Sequence, residues 1–236
     1  MSNYLIKKLN NCLRYGLVFI PQTCLLCGAK SHNEKLCRDC SNELPRLLGP
    51  RCPRCALPTD GNLCGTCLRK LPAFSGVIAA LIYTFPVDAI IKSLKYHRNL
   101  AVTEVLAETL LKAIPQENEP DLLVPVPLSR EKQCERGFNQ AHEISKVLTR
   151  RLGIPIIAEA CSRIRNTPSQ TTLPWNQREK NIRGAFACSS DFSGKRIAVV
   201  DDVMTTGATL HELANTLRKH GANDVVAWVV ARTLPS

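Results

Sequence analysis

Eight of the twelve cysteines stand in four C-x-x-C pairs between residues 24 and 67. The pairs are Cys24/Cys27, Cys37/Cys40, Cys52/Cys55 and Cys64/Cys67. A tight turn in each pair brings two thiolates to one tetrahedral ion, with Zn–S near ~2.3 Å, so two pairs close one site. Nine residues separate Cys27 from Cys37, eight separate Cys55 from Cys64, and the eleven from Ser41 to Arg51 divide the halves. Sequential pairing gives two zinc ribbons in tandem, a repeat of roughly 28 residues. A cross-braced pairing, first with third and second with fourth, satisfies the same spacing. Either way, four thiolates leave no open coordination position, so two structural Zn2+ ions are expected.

A disulfide framework is the competing reading, and it needs an oxidising compartment. The first 20 residues carry Lys7, Lys8 and Arg14, and only Leu17 to Ile20 is apolar before Pro21. That run is too short for a secretory signal, so a cytoplasmic setting is expected. Cys12, Cys134, Cys161 and Cys188 share no spacing and read as ordinary buried or surface thiols. No run of about 18 apolar residues occurs, which argues against a transmembrane helix.

Residues 1–70 hold 11 basic and 4 acidic side chains, +7 of a total of +11. A zinc–tetrathiolate site contributes about −2, so two sites bring the segment to about +3. Direct nucleic-acid binding by the ribbons is weakened accordingly. Only Tyr4, Tyr15 and Phe19 precede Phe74 as stacking platforms. Asn3 to Ile20 has helical spacing, with Leu5, Leu9, Leu13 and Leu17 on one face. We read it as a helix packed on its own module, with weak peripheral membrane contact as the alternative.

From Ser75 the pattern changes to alternating strands and helices. Strands are expected at Gly76–Phe85, Leu122–Val126, Ile154–Ile157, Arg196–Val200 and Asp224–Val230. Helices are expected at Pro86–Tyr96, Leu100–Ile114, about Phe138–Arg151 and Ala208–His220, with long loops elsewhere. This alternation predicts an α/β domain with a largely parallel sheet. The expected organisation is an N-terminal helix (1–22), a double ribbon (23–71) and a larger domain (75–236), linked near Leu71–Ala73.

The segment IAVVDDVMTTGATL, 197–210, is the most informative. An apolar strand delivers Asp201 and Asp202 at its carboxyl end, where ligands bind in open α/β sheets. Thr205, Thr206, Gly207, Ala208 and Thr209 are small or hydroxylated and open a helix, which suits a phosphate. The acids repel a phosphate, so they suit sugar hydroxyls or Mg2+. The chain has no G-x-x-x-x-G-K-[ST] and no G-x-G, which removes a P-loop and a dinucleotide fingerprint. What remains resembles the signature of type I phosphoribosyltransferases, which bind phosphoribosyl pyrophosphate (PRPP).

Two further segments fit. VPVPLSREKQCERGFNQA, 124–141, follows a strand with Arg130, Lys132, Arg136 and Gly137, suited to a pyrophosphate. Its alternative is a solvated basic loop. The segment 163–186 carries Arg163, Arg165, Thr167, Gln170, Arg178 and Arg183. It reads as a lid that closes on bound PRPP and excludes water, or as a flexible basic surface loop. Arg163 and Arg165 are the candidate catalytic arginines of that lid. Nothing names a general base: Glu131, Glu135 and His142 lie near the right loop, and His97 and His211 read as surface or capping residues.

In order along the chain stand the paired knuckles, LKYHRN (94–99), VPVPLS…RGFNQA, R-x-R-x-T-x-x-Q (163–170) and VVDDVMTTGAT (199–209). Together they resemble the ComF family, including GntX-like DNA-utilisation proteins, over nearly the whole chain. The resemblance implies a cytoplasmic protein with a type I phosphoribosyltransferase-like domain and a role in natural competence and DNA uptake. It implies ribose hydroxyls on Asp201 and Asp202, the 5′-phosphate on Thr205 to Thr209, and the pyrophosphate near Arg136 and Gly137. As an enzyme the chain would transfer a pentosyl group to an unidentified acceptor, with Mg2+ on the leaving pyrophosphate. A PRPP sensor without turnover is a second class. An adaptor for single-stranded DNA or a competence helicase is a third.

Overall fold

A computed structural model describes residues 22–31, 35–115, 119–165 and 178–235. The expected helix at 3–20, with Thr167 and Gln170, lies outside these residues, and of Arg178 only the backbone is described. The chain divides into two compact units between Leu44 and Pro45.

The first unit pairs β1 (Gln22–Thr23) with β2 (Lys30–Ser31) in an antiparallel ladder and adds the short helix α1 (Arg38–Asn42). The knuckle at Cys24 turns through Gly28, whose φ of 72° favours glycine.

The second unit begins with the other knuckles, helix α2 (Gly65–Arg69) and strand β3 (Gly76–Ile82). Helices α3 (Val87–His97) and α4 (Ala101–Leu111) follow, then β4 (Leu122–Pro125). Next come α5 (Arg130–Arg136), α6 (Gln140–Leu152) and β5 (Cys161–Arg163). The unit continues with α7 (Arg178–Ile182), β6 (Phe186–Cys188) and β7 (Arg196–Met204). It ends with α8 (Ala208–Lys219) and β8 (Asp224–Arg232).

The main sheet runs β3-β8-β7-β4 with every pair parallel, as the alternation of strands and helices predicts. β7 and β8 are central and covered on both faces, hence their apolar runs. On one face Ile197, Val199, Val225, Ala227 and Val229 join Leu210, Leu213 and Leu217 of α8 in the core. On the other, α4 and α6 pack on each other and on the strands.

Four expectations change in the structure. Ile154–Ile157 forms only one parallel bridge, Ile156 to Leu123, because Pro155 has no N–H to extend a ladder. Residues 130–136, expected as loop, form α5. Its ends are set by Ser129, whose hydroxyl accepts from Lys132 N at 3.5 Å, and by Gly137 at φ 78°. Cys161 and Cys188, expected as unrelated thiols, face each other across the antiparallel β5–β6 pair and form a disulfide. Finally, packing does not break at Leu71–Ala73. Cys52, Cys55, Cys67 and Phe74 share one core cluster with Met204 and Val229, so the second ribbon is built into the larger unit.

The junction is specific. Leu47 N donates to Ala80 O and Ile82 N to Pro45 O along the free edge of β3. The Arg54 guanidinium donates to Ser75 O at 2.8 Å. A side chain at Gly76 would approach Pro53 O at 3.3 Å.

Candidate functional site

The cysteines form two groups, Cys24/Cys27/Cys37/Cys40 and Cys52/Cys55/Cys64/Cys67, with all sulfurs of a group within 4.8 Å of one another. Pairing is therefore sequential, and the cross-braced alternative falls away. Cys27 and Cys37 Sγ approach to 3.7 Å, and Cys55 and Cys64 Sγ to 3.5 Å. Burial opposes the Cys24 thiolate, but N–H donors from Cys27, Cys37 and Leu26 outweigh it and lower the thiol to about 6. Cys55 is pushed up to about 11, first by burial. Four sulfurs this close cannot all be charged without a cation, and a soft tetrahedral set of thiolates fits zinc. The two groups support structural zinc in both ribbons.

The candidate ligand cleft lies at the carboxyl ends of β4 and β7. The strand β7 runs through the two acids to Met204, so Thr205, Thr206 and Gly207 alone make the turn into α8. Gly207 has φ 82°, and a Cβ there would meet Met204 Cε at 2.5 Å and Phe74 Cζ at 3.6 Å. Glycine is thus required twice, by backbone conformation and by the side chains beneath the turn. Among the described residues, the N–H groups of Thr205, Thr206 and Gly207 make no hydrogen bond. Ala208 N donates to Thr206 Oγ1 at 3.1 Å. Unpaired amides at the start of a helix are an anion cradle.

Consecutive strand residues face opposite sides, and this separates the acids. Asp202 is buried against Lys95 of α3, Nζ to Oδ2 2.7 Å. Burial pulls the Lys95 ammonium down, but the charges of Asp202 and Asp201 outweigh it and hold its pKa above the ordinary lysine value. Asp201 shares the face of Val199 and accepts from Asp202 N at 2.9 Å. Burial, then the charge of Asp202, raises its carboxyl to about 7.

Around the acids stand three more cations. Lys132 is lowered by burial and then by Arg163, Arg136 and Lys95, so these four charges share one space. Arg163 is lowered by burial and supported by Asp201, with its guanidinium 5.9 Å from the centre of the Phe186 ring. Arg136 donates to Gln140 Oε1 at 2.8 Å and lies over Tyr96 at 5.8 Å. Gly137 is held beside Arg98, whose guanidinium donates to Glu135 O at 3.4 Å. The segments LKYHRN and RGFNQA are therefore neighbours. A cleft of about 630 Å³ opens between the segments 125–143 and 158–163, lined by Arg130, Gly137, His142, Glu159 and Arg163 among others; Arg163 is the member of the cation group that reaches it, and its lining includes neither the acids nor the 205–209 turn.

Arg165 sits elsewhere. It donates to Arg183 O at 2.5 Å, and Ile164 N donates to Ala185 O. With the Cys161–Cys188 bond these contacts clasp the two ends of the expected lid. Gly184 N donates to Glu212 Oε1 at 2.7 Å and ties this stem to α8. His211 is a structural partner: its Nδ1 accepts from Ala73 N at 3.0 Å.

Sequence reasoning missed two charged residues at the site. Lys95 was legible only as part of LKYHRN. Arg232 was not singled out, although its signal is plain: one arginine ends the apolar run 225–231 of strand β8. It is 1% exposed and donates to Cys55 O at 3.0 Å, Met204 O at 3.1 Å and Thr233 O at 2.7 Å, and also to Thr205 O.

Comparison with known proteins places both parts of the chain in described families. Residues 17–68 match the family described as double zinc ribbon domain, and residues 94–234 match the phosphoribosyl transferase domain. The chain is 31% identical to competence protein F of Haemophilus influenzae, over 91% of this chain and 98% of that one. It is 33% identical to the DNA utilization protein YhgH of Escherichia coli K12, over 92% and 100%. Identity to competence protein ComFC of Bacillus subtilis is 28%, over 85% of each chain. A purine phosphoribosyltransferase from Pyrococcus horikoshii superposes with TM-score 0.30 at 20% identity, covering 64% of this chain and 74% of its own. Among the described residues, no helix is long and apolar enough to cross a membrane.

Proposed function

The chain belongs to the ComF family of competence and DNA-utilisation proteins, and on that premise we propose that it binds PRPP in the cleft beside Gly207 and transfers the phosphoribosyl group in the cytoplasm, in the service of DNA uptake and use. One observation carries this reading: β7 ends in two acids beside the Lys95 ammonium, the charges of Lys132, Arg136 and Arg163 act on the same group of residues, and the helix-opening turn that follows keeps its amides free. A sugar bearing a phosphate at one end and a pyrophosphate at the other matches that arrangement of charge.

In the reaction, the bond from the ribose anomeric carbon to the pyrophosphate oxygen breaks and a bond to the acceptor forms. The 5′-phosphate rests on the amides and hydroxyls of 205–209. Lys132, Arg136 and Arg163 receive the pyrophosphate and the charge it gains on leaving. Asp201 and Asp202 accept from the ribose hydroxyls and oppose the positive charge that develops on the ring. Carboxylate oxygens suit a hard cation, and Mg2+ bound with PRPP would supply further neutralisation of the leaving group. The expected lid, 163–186, belongs to this reading, with Arg163 in the cation group and Arg165 in the stem as its described arginines. The partner that takes the phosphoribosyl group, and any contact with single-stranded DNA or a competence helicase, belongs to the open side of the cleft or to the ribbons.

Calorimetry with PRPP and Mg2+, followed by a pyrophosphate-release assay across nucleobases, amines and single-stranded DNA, tests the proposal. Binding with release for one acceptor is the expected result. Binding without release for any acceptor makes the chain a PRPP sensor, and no binding overturns the site.

A further inference from the structure

Arg232 is a large buried cation, and the described residues place no carboxylate on it. Its guanidinium instead joins three stretches of backbone. One is Cys55 O, the carbonyl of a cysteine in the second metal group. The second is Met204 and Thr205, the two residues that lead into the phosphate turn. The third is its own neighbour, Thr233. Five donors in a rigid planar fork make arginine suited to holding several carbonyls in fixed relation. A cavity of about 200 Å³ between ribbon and turn is lined by Cys55, Cys67, Phe74, Met204, Gly207 and Arg232 among others. Phe74 and Met204 fill the space beneath Gly207. The turn therefore rests on a wall made by the ribbon and the segment that leaves it.

A guanidinium withdrawn from water needs compensating charge. With zinc bound, the second group carries about −2, the nearest source of such charge. Without the metal that charge is lost, the Cys55 carbonyl is no longer fixed by the knuckle, and the guanidinium loses its reason to stay.

We infer that Arg232 is a positioning residue that couples metal occupancy of the second ribbon to the shape of the phosphate turn at 204–207. The second zinc then does more than fold a small module: it sets whether the turn can hold a phosphate. The geometry of this coupling does not depend on PRPP being the ligand; only its consequence for PRPP affinity rests on that reading.

Hydrogen exchange on the full-length, ligand-free protein tests it. The amides whose hydrogen bonds hold the turn, Thr233 N to Met204 O, His211 N to Gly207 O and Ala208 N to Thr206 Oγ1, are followed against those of Val225–Val230 in the core. Zinc is removed from the second site by chelation or by Cys55→Ser. The expected result is exchange at the turn amides about tenfold faster than the fall in global stability accounts for, with Val225–Val230 tracking that global fall. Arg232→Met should do the same while zinc content stays at two per chain, and Arg232→Lys, with fewer and less spread donors, should fall between. If Arg232→Met fails to fold, the chelation and Cys55→Ser arms decide. An unchanged turn in zinc-free protein overturns the inference, and so does a turn that speeds up only as much as the core, which is global unfolding. Where PRPP binds, coupling is reciprocal: PRPP should slow chelator extraction of zinc from wild type but not from Arg232→Met. A protein that binds no PRPP but shows the exchange effect overturns the proposed function and leaves the coupling standing.

Discussion

The Lys95 ammonium lies 2.7 Å from the Asp202 carboxylate, both largely buried, so this acid has its counter-charge before any ligand arrives. Removing one partner of such a pair strands the other charge. Lys95→Met should therefore destabilise the protein by about 3 kcal/mol, while adding Asp202→Leu should recover much of that. Urea unfolding of the two singles and the double measures the coupling. Additive effects would mean the pair does not exist in solution.

Asp201 stands in the opposite situation. Its carboxyl is raised from 3.8 to about 7, chiefly by burial. Below about pH 4 it is protonated folded or unfolded; between there and 7 only the folded form keeps the proton, so stability from this group falls as pH rises. Above 7 the full penalty is present. Asp201→Asn carries no such penalty, so it should stabilise the ligand-free protein by about 2 kcal/mol more at pH 8 than at pH 5. Thermal melts at the two pH values check this, and an equal or reversed difference would remove the raised pKa. The same substitution should weaken PRPP binding, since a poised carboxylate is held there against stability.

Zinc content should be two per chain by elemental analysis. Cys37→Ser and Cys64→Ser should each reduce it to one, because the groups close sequentially. The second substitution should also lower the unfolding free energy of the 45–236 unit by at least about 3 kcal/mol. The reason is that Cys52, Cys55 and Cys67 lie in the common core with β7 and β8. Equal stability of that unit with and without its metal would contradict the shared core.

Once oxidised in vitro, Cys161 and Cys188 should be recovered as one linked peptide when the protein is digested without reductant, whereas a reducing cytoplasm should hold the same pair as two thiols. Their bond closes the stem of the segment 166–177, so Cys161→Ser should speed proteolytic cleavage between Arg165 and Arg183 severalfold. Cleavage at the wild-type rate would leave the stem to its hydrogen bonds alone.

What the sequence showed and what it hid follow from the range of the forces involved. The knuckles and the D-D-x-x-T-T-G turn were legible because metal geometry and a tight strand-to-helix turn impose their own spacing over a few residues. The parallel sheet was legible because β7 and β8 are buried on both faces and read as apolar runs. Helix α5 was not, because it buries no side chain and so has no apolar period; Ser129 and Gly137, its two ends, were the available signals. The Cys161–Cys188 bond depends on the register of β5 against β6, and 27 residues of sequence separation carry no trace of it. The contacts of Arg232 span 177 residues to Cys55, and the opposite facing of Asp201 and Asp202 needs to be seen on a strand. Arg163 and Arg165 look alike in sequence, yet one joins the cations of the cleft and the other closes the stem.

That last difference yields a split between binding and turnover. Gly207→Ala places a Cβ at 2.5 Å from Met204 Cε in a residue held at φ 82°. The Met204 tip can move, but the backbone conformation remains strained, so the turn shifts and PRPP affinity should fall at least about tenfold. Relieving the contact with Met204→Ala should restore only part of it. Arg163 faces Asp201 and the other cations, so Arg163→Ala should lower pyrophosphate release about a hundredfold with a much smaller change in PRPP affinity. Arg165→Ala removes only a stem contact, and its effect on release should stay within about tenfold and follow the rate of proteolysis in the segment it anchors. Single-turnover assays with calorimetry on the three variants separate these outcomes. Equal losses of release in Arg163→Ala and Arg165→Ala would place both arginines in the lid alone and take Arg163 out of the reaction.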